Sequence, residues 1–452
     1  EQVSISNSIN SLRFLDTTDW GEFVETMSVV EQTLRKDASG TYGNMDFATR
    51  DAYRHVVEAI AKKSELSEVE VASLAISRAN EVAEQDAEDR KAHVGYYLID
   101  KGVRELEQIA KMRRTFYEKL KYMIRRFPLT IYLGSNFGIS LAISLGVCWF
   151  AWHHEVAGHW IMTLFFLALF ASSQLAISVV NWISTLVVSP KSLPRMDFSR
   201  HVPHRFKTLI TIPTLITNEK VVADLLEALE VRYLANKADN VYYSLLTDFA
   251  DAPREHLPAD EKLLQQTVDG IQALNEKYPG QQGELFFLFH RPRKWNEKDK
   301  VWMGYERKRG KLAALNQLLR GHTEEFSCIT GDAERLTNVK YVITLDTDTM
   351  MPRETAWQMI AAMAHPLNKA VFDERKGRVV EGYGILQPRV AVSLPGAVTT
   401  YFERMHSIDT GLDPYTHMIS DVYQDLFEEG SFIGKGIYDV DVFEHALADT
   451  FP

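Results

Sequence analysis

Two long stretches without a charged residue constrain the fold of this chain more than any other feature. The first runs from Phe127 to Trp152 and the second from Trp160 to Val188. Each exceeds the roughly 20 residues that an α-helix needs to cross the hydrocarbon core of a bilayer. Uncharged stretches of this length are rare in soluble folds. The sequence therefore predicts a two-helix transmembrane hairpin over 127–188. The alternative is a helical hairpin buried in a soluble core.

The charges on either side of this hairpin predict its orientation. Seven Lys and Arg residues lie between positions 111 and 126 and five between 191 and 207, whereas the connection 153–159 has none. By the positive-inside rule, we expect both polar parts in the cytoplasm and the short connection outside. The two cysteines, Cys148 and Cys328, agree with a reducing compartment. A net charge of −11 argues against nucleic acid as a partner.

The polar parts of the chain differ in their predicted structure. Residues 1–126 are predicted to be a helical cytoplasmic region, in which Ser67 and Glu70 form a capping box and no catalytic signature occurs. Residues 189–204, with three prolines, are predicted to be a linker. Over 205–452, strands alternate with helices, which predicts an α/β domain with a doubly wound, mostly parallel sheet. The predicted strands cover 208–214, 241–246, 284–289 and 341–345, and the predicted helices cover 220–234, 261–276 and 310–319.

An acidic pair follows the last of these predicted strands. Asp346 and Asp348 come directly after the apolar, β-branched residues that end at Leu345. In open α/β sheets, ligands bind beyond the carboxyl ends of the strands. Divalent cations that carry a phosphorylated ligand need only a few such oxygens from the protein. The pair is therefore a candidate metal and diphosphate site, with a solvated turn as the alternative. Met350 argues against a dehalogenase-type phosphotransferase, in which Thr or Val is expected at that position.

Two further groups of polar residues could complete a nucleotide site. Asp248 and Asp251 follow the second predicted strand, where a carboxylate could accept hydrogen bonds from a base or a ribose. Arg307, Gly310 and Lys311 surround the start of a predicted helix, whose amide groups and cations suit an anion. Taken alone, the first group is typical of a turn and the second of a solvated surface. Together with the acidic pair, they form the set that a sugar-nucleotide transferase needs.

Five long motifs follow one another in the α/β part of the chain: YERKRGK at 305–311, GILQPR at 384–389, DPYTH at 413–417, SDVYQD at 420–425 and EGSFIGKGIYD at 429–439. In sequence and in order, these motifs resemble those of the cyclic β-1,2-glucan synthases of bacterial inner membranes. The resemblance extends over the whole sequence, including the helical region and the hairpin.

This resemblance implies a GT-A-like, inverting and processive transferase that uses UDP-glucose and a divalent metal, Mg or Mn. It also implies self-glucosylation of a protein tyrosine, elongation through β-1,2 links, and release of the glucan as a ring. The implied partners are UDP-glucose, the growing β-1,2-glucan chain, the lipid bilayer and a phosphorylase-like domain of the same protein. By position, the implied roles are donor binding for Asp248, Asp251, Arg307 and Lys311, metal binding for Asp346 and Asp348, and contact with the donor sugar or acceptor for Gln387, Arg389, Lys435 and Asp439.

In this family the general base belongs to a Ser-His-Asp motif that comes shortly after the GKGIYD segment. The sequence reaches Pro452 without such a motif, so the catalytic residue is unknown and we expect this chain to bind donor but to transfer little sugar. Two alternatives remain open: a membrane-anchored UDP-sugar-binding or regulatory protein, and a processive synthase of another β-glucan. Spacing alone predicts neither the linkage nor the priming tyrosine.

Overall fold

The chain folds as two units in the computed structural model. One unit comprises Glu1–Arg113, Leu193–Leu386 and Gly434–Pro452, and the other comprises Arg114–Ser192 and Gln387–Ile433. The structure describes residues 20–115, 123–124, 126–188, 192–280, 283–388, 418–427, 430 and 432–447, together with isolated positions before residue 20.

The first unit begins with the predicted helical region. The capping box forms as expected, because the Ser67 side chain accepts from the Glu70 amide while the Glu70 carboxylate accepts from the Ser67 amide. The described α-helices of this region are α1 (Trp20–Met27), α2 (Val29–Leu34), α3 (Phe47–Ala61), α4 (Glu68–Ala83), α5 (Gly95–Ile99) and α6 (Val103–Ile109). The described 3-10 helices of the chain are Tyr42–Asn44, Arg90–Ala92, His204–Phe206, Ala333–Leu336 and Pro366–Asn368.

A seven-stranded sheet is the centre of the rest of this unit. Its strands are β1 (Thr208–Ile216), β2 (Val241–Phe249), β3 (Phe286–Arg291), β6 (Cys328–Thr330), β7 (Tyr341–Thr344), β10 (Ile385–Leu386) and β11 (Gly436–Asp439). They are arranged in the order β10-β11-β7-β1-β2-β3-β6. The four central strands, β7, β1, β2 and β3, are parallel, and the remaining three are antiparallel to their neighbours. Two hairpins, β4 (Lys294–Asn296) with β5 (Val301–Met303) and β8 (Val371–Asp373) with β9 (Arg378–Glu381), lie outside it.

Helices cover both faces of the sheet, as the α/β pattern predicts. Successive strand side chains point to opposite faces, so Tyr242 and Tyr243 on β2 belong to different cores. Leu229 and Ile271 pack in one core and Leu315 in the other. The helices of this domain are α9 (Glu219–Ala235), α10 (Asp260–Lys277), α11 (Arg307–Leu318), α12 (Thr355–Ala364) and α14 (Val440–Leu447). The fold class expected from the sequence is therefore confirmed.

The helical region packs against the sheet domain within this unit. The Arg195 amide donates to Thr49 Oγ1 at 3.0 Å, and His365 Nε2 lies 3.1 Å from Met45 Sδ. Buried residues of the helical region and of the sheet belong to one continuous apolar core, to which Tyr53 and Ile343 both contribute. The predicted boundaries at 126, 188 and 204 stay predictions.

The second unit contains the two uncharged stretches as helices α7 (Pro128–His153) and α8 (Gly158–Val187), with α13 (Met418–Phe427). Both α7 and α8 are long and apolar enough to cross a membrane. Only 11% and 17% of their most apolar windows are buried within the protein, which argues against a buried hairpin in a soluble core. Between the helices, Tyr132 donates to Asn181 Oδ1 at 2.8 Å. Trp152 and Phe170 are among the exposed large side chains, as expected of a surface that faces lipid.

His290 on β3 makes the stability of the sheet domain sensitive to acid. Its side chain is fully buried beside Thr247 Oγ1, 2.9 Å away, and burial lowers its pKa from the ordinary value of 6.5 to about 4. Because the folded-state pKa is depressed, neutral His290 favours the folded state above pH 6.5, and this contribution is lost as the pH falls towards 4. We expect His290→Gln to reduce the stability lost between pH 7 and pH 4 by about 3 kcal/mol.

Urea unfolding of the detergent-solubilised protein, followed by tryptophan fluorescence at both pH values, measures this difference. His55→Gln is the matched control, because His55 is exposed and should leave the pH dependence unchanged. An equal loss of stability in the wild type and in His290→Gln would contradict the assignment.

Candidate functional site

The acidic pair lies at the carboxyl edge of the parallel strands, in a loop that follows β7. We call residues 345–350 the Asp346 loop. The Leu345 amide donates to the Thr211 carbonyl of β1 at 3.2 Å, and the Thr349 amide donates to the Asp346 carbonyl at 3.1 Å. These bonds continue the sheet by one residue and then turn the chain. Asp346 is half-buried and Asp348 is exposed, so the two carboxylates reach solvent just beyond the strand.

A buried arginine on α9 supports the Asp346 loop. Arg232 of α9 is 3% exposed, and its guanidinium donates to the carbonyls of Thr347 at 2.8 Å and Thr349 at 2.9 Å. A longer bond of 3.4 Å reaches the Asp346 carbonyl. None of the described carboxylates forms an ion pair with Arg232. Burial lowers the pKa of Arg232, and the charge of Asp348 opposes this shift. The Arg232 side chain therefore fixes the loop by hydrogen bonds to the backbone carbonyls of the loop.

Two lysines contact the Asp346 carboxylate directly. Lys308, in the first turn of α11, places Nζ 2.5 Å from Oδ1 of Asp346 and 2.8 Å from the Gly434 carbonyl. Lys435 places Nζ 3.2 Å from Oδ2 of Asp346. Gly434 has φ of +84°, and an added Cβ would lie 2.9 Å from Lys308 Nζ. A glycine therefore allows the backbone before β11 to approach the lysine.

Asp248 is the centre of a buried ionic network. It is 1% exposed and accepts two hydrogen bonds from Arg291, at 3.0 and 2.9 Å. Lys311 Nζ lies 3.5 Å from Asp248 Oδ2 and donates to the Thr214 carbonyl at 2.5 Å. Burial lowers the pKa of Lys311, and the charge of Asp248 opposes this shift. A Cβ added to Gly304 would lie 2.1 Å from Asp248 Oδ2, so the backbone covers this carboxylate.

Asp251 and Arg307 form a separate pair at the surface. The Arg307 side chain donates to Asp251 Oδ2 at 2.7 Å. The Arg307 side chain is 62% exposed and that of Asp251 is 33% exposed. Arg291 links this region to the buried network, because its guanidinium also donates to the Tyr305 carbonyl at 3.0 Å. The candidate donor-binding residues are thus divided between a buried network and an exposed ion pair.

The remaining candidate residues do not all come together. Asp439 lies opposite Tyr341 in the antiparallel pairing of β11 with β7, whereas Gly436 lies opposite Thr344. Asp439 is therefore at the amino end of β7, on the opposite edge from the Asp346 loop. There it contacts Lys340 at 3.0 Å and accepts from the Asp441 amide. Gln387 lies in the second unit, where its Oε1 accepts from the Ile433 amide at 2.7 Å. Arg389 lies outside the described residues.

Sequence reasoning missed three of the residues that shape this edge. Lys308 lies in the first turn of α11, within the basic segment that the sequence indicated, but nothing in the spacing distinguishes its half-buried position from the buried position of Lys311. Arg291 is the last residue of the apolar strand β3, so the available signal for it was a cation at the end of a strand. Arg232 lies within an amphipathic helix among other charged residues, and its sequence context gives no indication of its role.

The carboxylates at this edge are donors of the type that a magnesium or manganese ion takes when it also binds a phosphorylated ligand. Among the described residues, no group of three or more His, Cys, Asp and Glu side chains could hold a metal. Mg²⁺ commonly takes one or two carboxylates and completes its coordination with water and substrate phosphates. Asp346 and Asp348 provide two such carboxylates, and Asp346 already contacts two ammonium groups.

Comparison with known proteins bears on the resemblance that the motifs suggested. No protein-family model matches the chain. The chain is 36% identical over 449 residues, or 98% of its length, to the cyclic beta-(1,2)-glucan synthase NdvB of Rhizobium meliloti (strain 1021). It spans 16% of the length of that protein. The resemblance expected from the sequence is confirmed: this chain is related, over almost all of its length, to one part of a cyclic β-(1,2)-glucan synthase.

Proposed function

We propose that this chain is the donor-binding part of a membrane-bound, inverting glycosyltransferase that uses UDP-glucose to build β-1,2-glucan. The observation that carries the proposal is the 36% identity to a glucan synthase across 98% of the chain. The α/β sheet supports it, because the acidic pair and two lysines lie together at the edge where α/β proteins bind ligands.

Each group at this edge has a role in the proposal. Asp346 and Asp348 hold a divalent cation, and Lys308 and Lys435 lie close enough to approach the diphosphate of the donor. When bound, the cation neutralises the negative charge that develops on the departing diphosphate. The buried network of Asp248, Arg291 and Lys311 supports the strand ends, while the exposed pair of Asp251 and Arg307 is available to the nucleoside. The growing glucan and the lipid bilayer are the other proposed partners.

Removal of either carboxylate tests the donor site. We expect Asp346→Asn and Asp348→Asn each to weaken UDP-glucose binding in the presence of Mn²⁺ by about tenfold or more, because the side chains keep their shape but lose the charge that holds the cation. Isothermal titration of the detergent-solubilised protein measures the effect. Addition of EDTA to the wild type should weaken binding similarly.

Asp269→Asn is the matched control, because Asp269 lies on α10 and contacts Gln265. It should bind UDP-glucose like the wild type. Metal-independent binding that survives both site substitutions would contradict the proposal.

Arg232 should act as a positioning residue for the Asp346 loop. We expect Arg232→Met to weaken Mn²⁺-dependent UDP binding by about tenfold, because the loop carbonyls lose their charged donor. Arg232→Lys should recover part of the affinity by restoring the charge with fewer hydrogen bonds. Arg320→Met is the control, since Arg320 donates to the Leu319 and Val339 carbonyls away from the loop. Equal UDP affinity in Arg232→Met and the wild type would show that the loop needs no such support.

The proposed membrane orientation places the connection between α7 and α8 outside the cytoplasm. Alkaline phosphatase inserted within 153–159 should be active in a bacterial host, because the enzyme requires an oxidising compartment. The same reporter fused after Arg200 should be inactive. Activity of the second fusion together with inactivity of the first would reverse the orientation.

A further inference from the structure

Both oxygens of the Asp346 carboxylate already contact a positive charge. Lys308 Nζ lies 2.5 Å from Oδ1, and Lys435 Nζ lies 3.2 Å from Oδ2. Asp348, two residues along, is exposed to solvent. Two carboxylates and two ammonium groups therefore balance in charge at the end of β7. Any cation that binds Asp346 must therefore compete with a lysine at each carboxylate oxygen.

The two lysines come from different parts of the chain, so their convergence is a property of the fold. Lys308 belongs to α11, and Lys435 directly precedes β11. Lys308 also donates to the Gly434 carbonyl at 2.8 Å, which links the helix to the segment before β11. The side chains of Lys308 and Lys435 are 35% and 20% exposed, and lysine is a flexible point charge that can reorient. The ammonium groups can therefore move a short distance without a change in the backbone.

We propose that Lys308 and Lys435 are exchangeable counter-ions of the donor site. They neutralise Asp346 while no metal is bound, and they move from the carboxylate to the donor phosphates when a divalent cation takes their place. This inference rests on the proposed function, because it assumes that Asp346 binds metal. Its consequence is ordered binding: the metal alone competes with two ammonium groups, whereas the metal with a diphosphate gives those groups new anionic partners.

The exchange has a signature that a purely structural role lacks. Removal of one lysine should strengthen the binding of metal alone, because one competing cation is gone. The same change should weaken the binding of UDP in the presence of metal, because one phosphate partner is gone. A lysine that merely supported the fold would weaken both equilibria when removed.

The test uses the detergent-solubilised full chain with Mn²⁺ and UDP as probes. Electron paramagnetic resonance of free Mn²⁺ gives the affinity for the metal alone, and isothermal titration gives the affinity for UDP at saturating Mn²⁺. We expect Lys308→Met and Lys435→Met each to tighten Mn²⁺ binding about threefold or more and to weaken UDP binding about tenfold. Lys308→Gln, which keeps a polar side chain, should shift both affinities in the same directions.

Lys262→Met is the matched control, because Lys262 pairs with Glu219 at 2.6 Å and both side chains are exposed. This substitution should change neither affinity. Weakened or unchanged Mn²⁺ binding in the Lys308 and Lys435 variants overturns the exchange. If UDP binding nevertheless depends on Mn²⁺ and on Asp346, the proposed function stands without the lysine exchange. Equal Mn²⁺ affinity in Asp346→Asn and in the wild type overturns both the exchange and the proposed metal site.

Discussion

The parallel pairing of β7 with β1 is the constraint on which the candidate site depends. It aligns Thr344 with Thr211, so that the Asp346 loop leaves the sheet beside the end of β1. The same parallel order continues through β2 and β3, which brings Asp248 and Arg291 side by side. Antiparallel β11 pairs on the other side of β7 and delivers Lys435 to the same edge. Residues distant in the sequence therefore converge where α/β sheets bind ligands.

Charge at this edge is arranged in two layers. The deeper layer holds Asp248 between Arg291 and Lys311, and burial of these groups is compensated by close ion pairing and hydrogen bonds. The outer layer holds Asp346 between Lys308 and Lys435, with more exposure to solvent. The deeper groups are fixed by their contacts, whereas the outer ones are the groups that we propose to exchange partners when an ionic ligand binds.

The sequence predicted the strands and helices of the site better than it predicted the burial of their side chains or the direction of β11. The β-branched segment that ends at Leu345 predicted a strand-end carboxylate at Asp346, because strand propensity and the α/β alternation are local signals. Lys308 and Lys311 are one helical turn apart, yet Lys311 is 3% exposed and Lys308 reaches the surface; tertiary packing decides this difference. Asp439 was assigned to the donor-sugar or acceptor side through the family resemblance alone, and the direction of β11 is not encoded in its composition. The antiparallel pairing moves that side chain to the opposite edge.

We propose above all that the Asp346 loop holds a metal ion together with the diphosphate of a nucleotide. The phosphorus-31 relaxation of UDP in the presence of Mn²⁺ and the solubilised protein tests it directly, because a paramagnetic ion accelerates the relaxation of nuclei close to it. We predict strongly enhanced relaxation of both phosphorus nuclei in the protein-bound complex, and loss of the protein-dependent enhancement in Asp346→Asn and Asp348→Asn. Binding of UDP with no enhancement, or with an enhancement that both variants retain, would contradict the account.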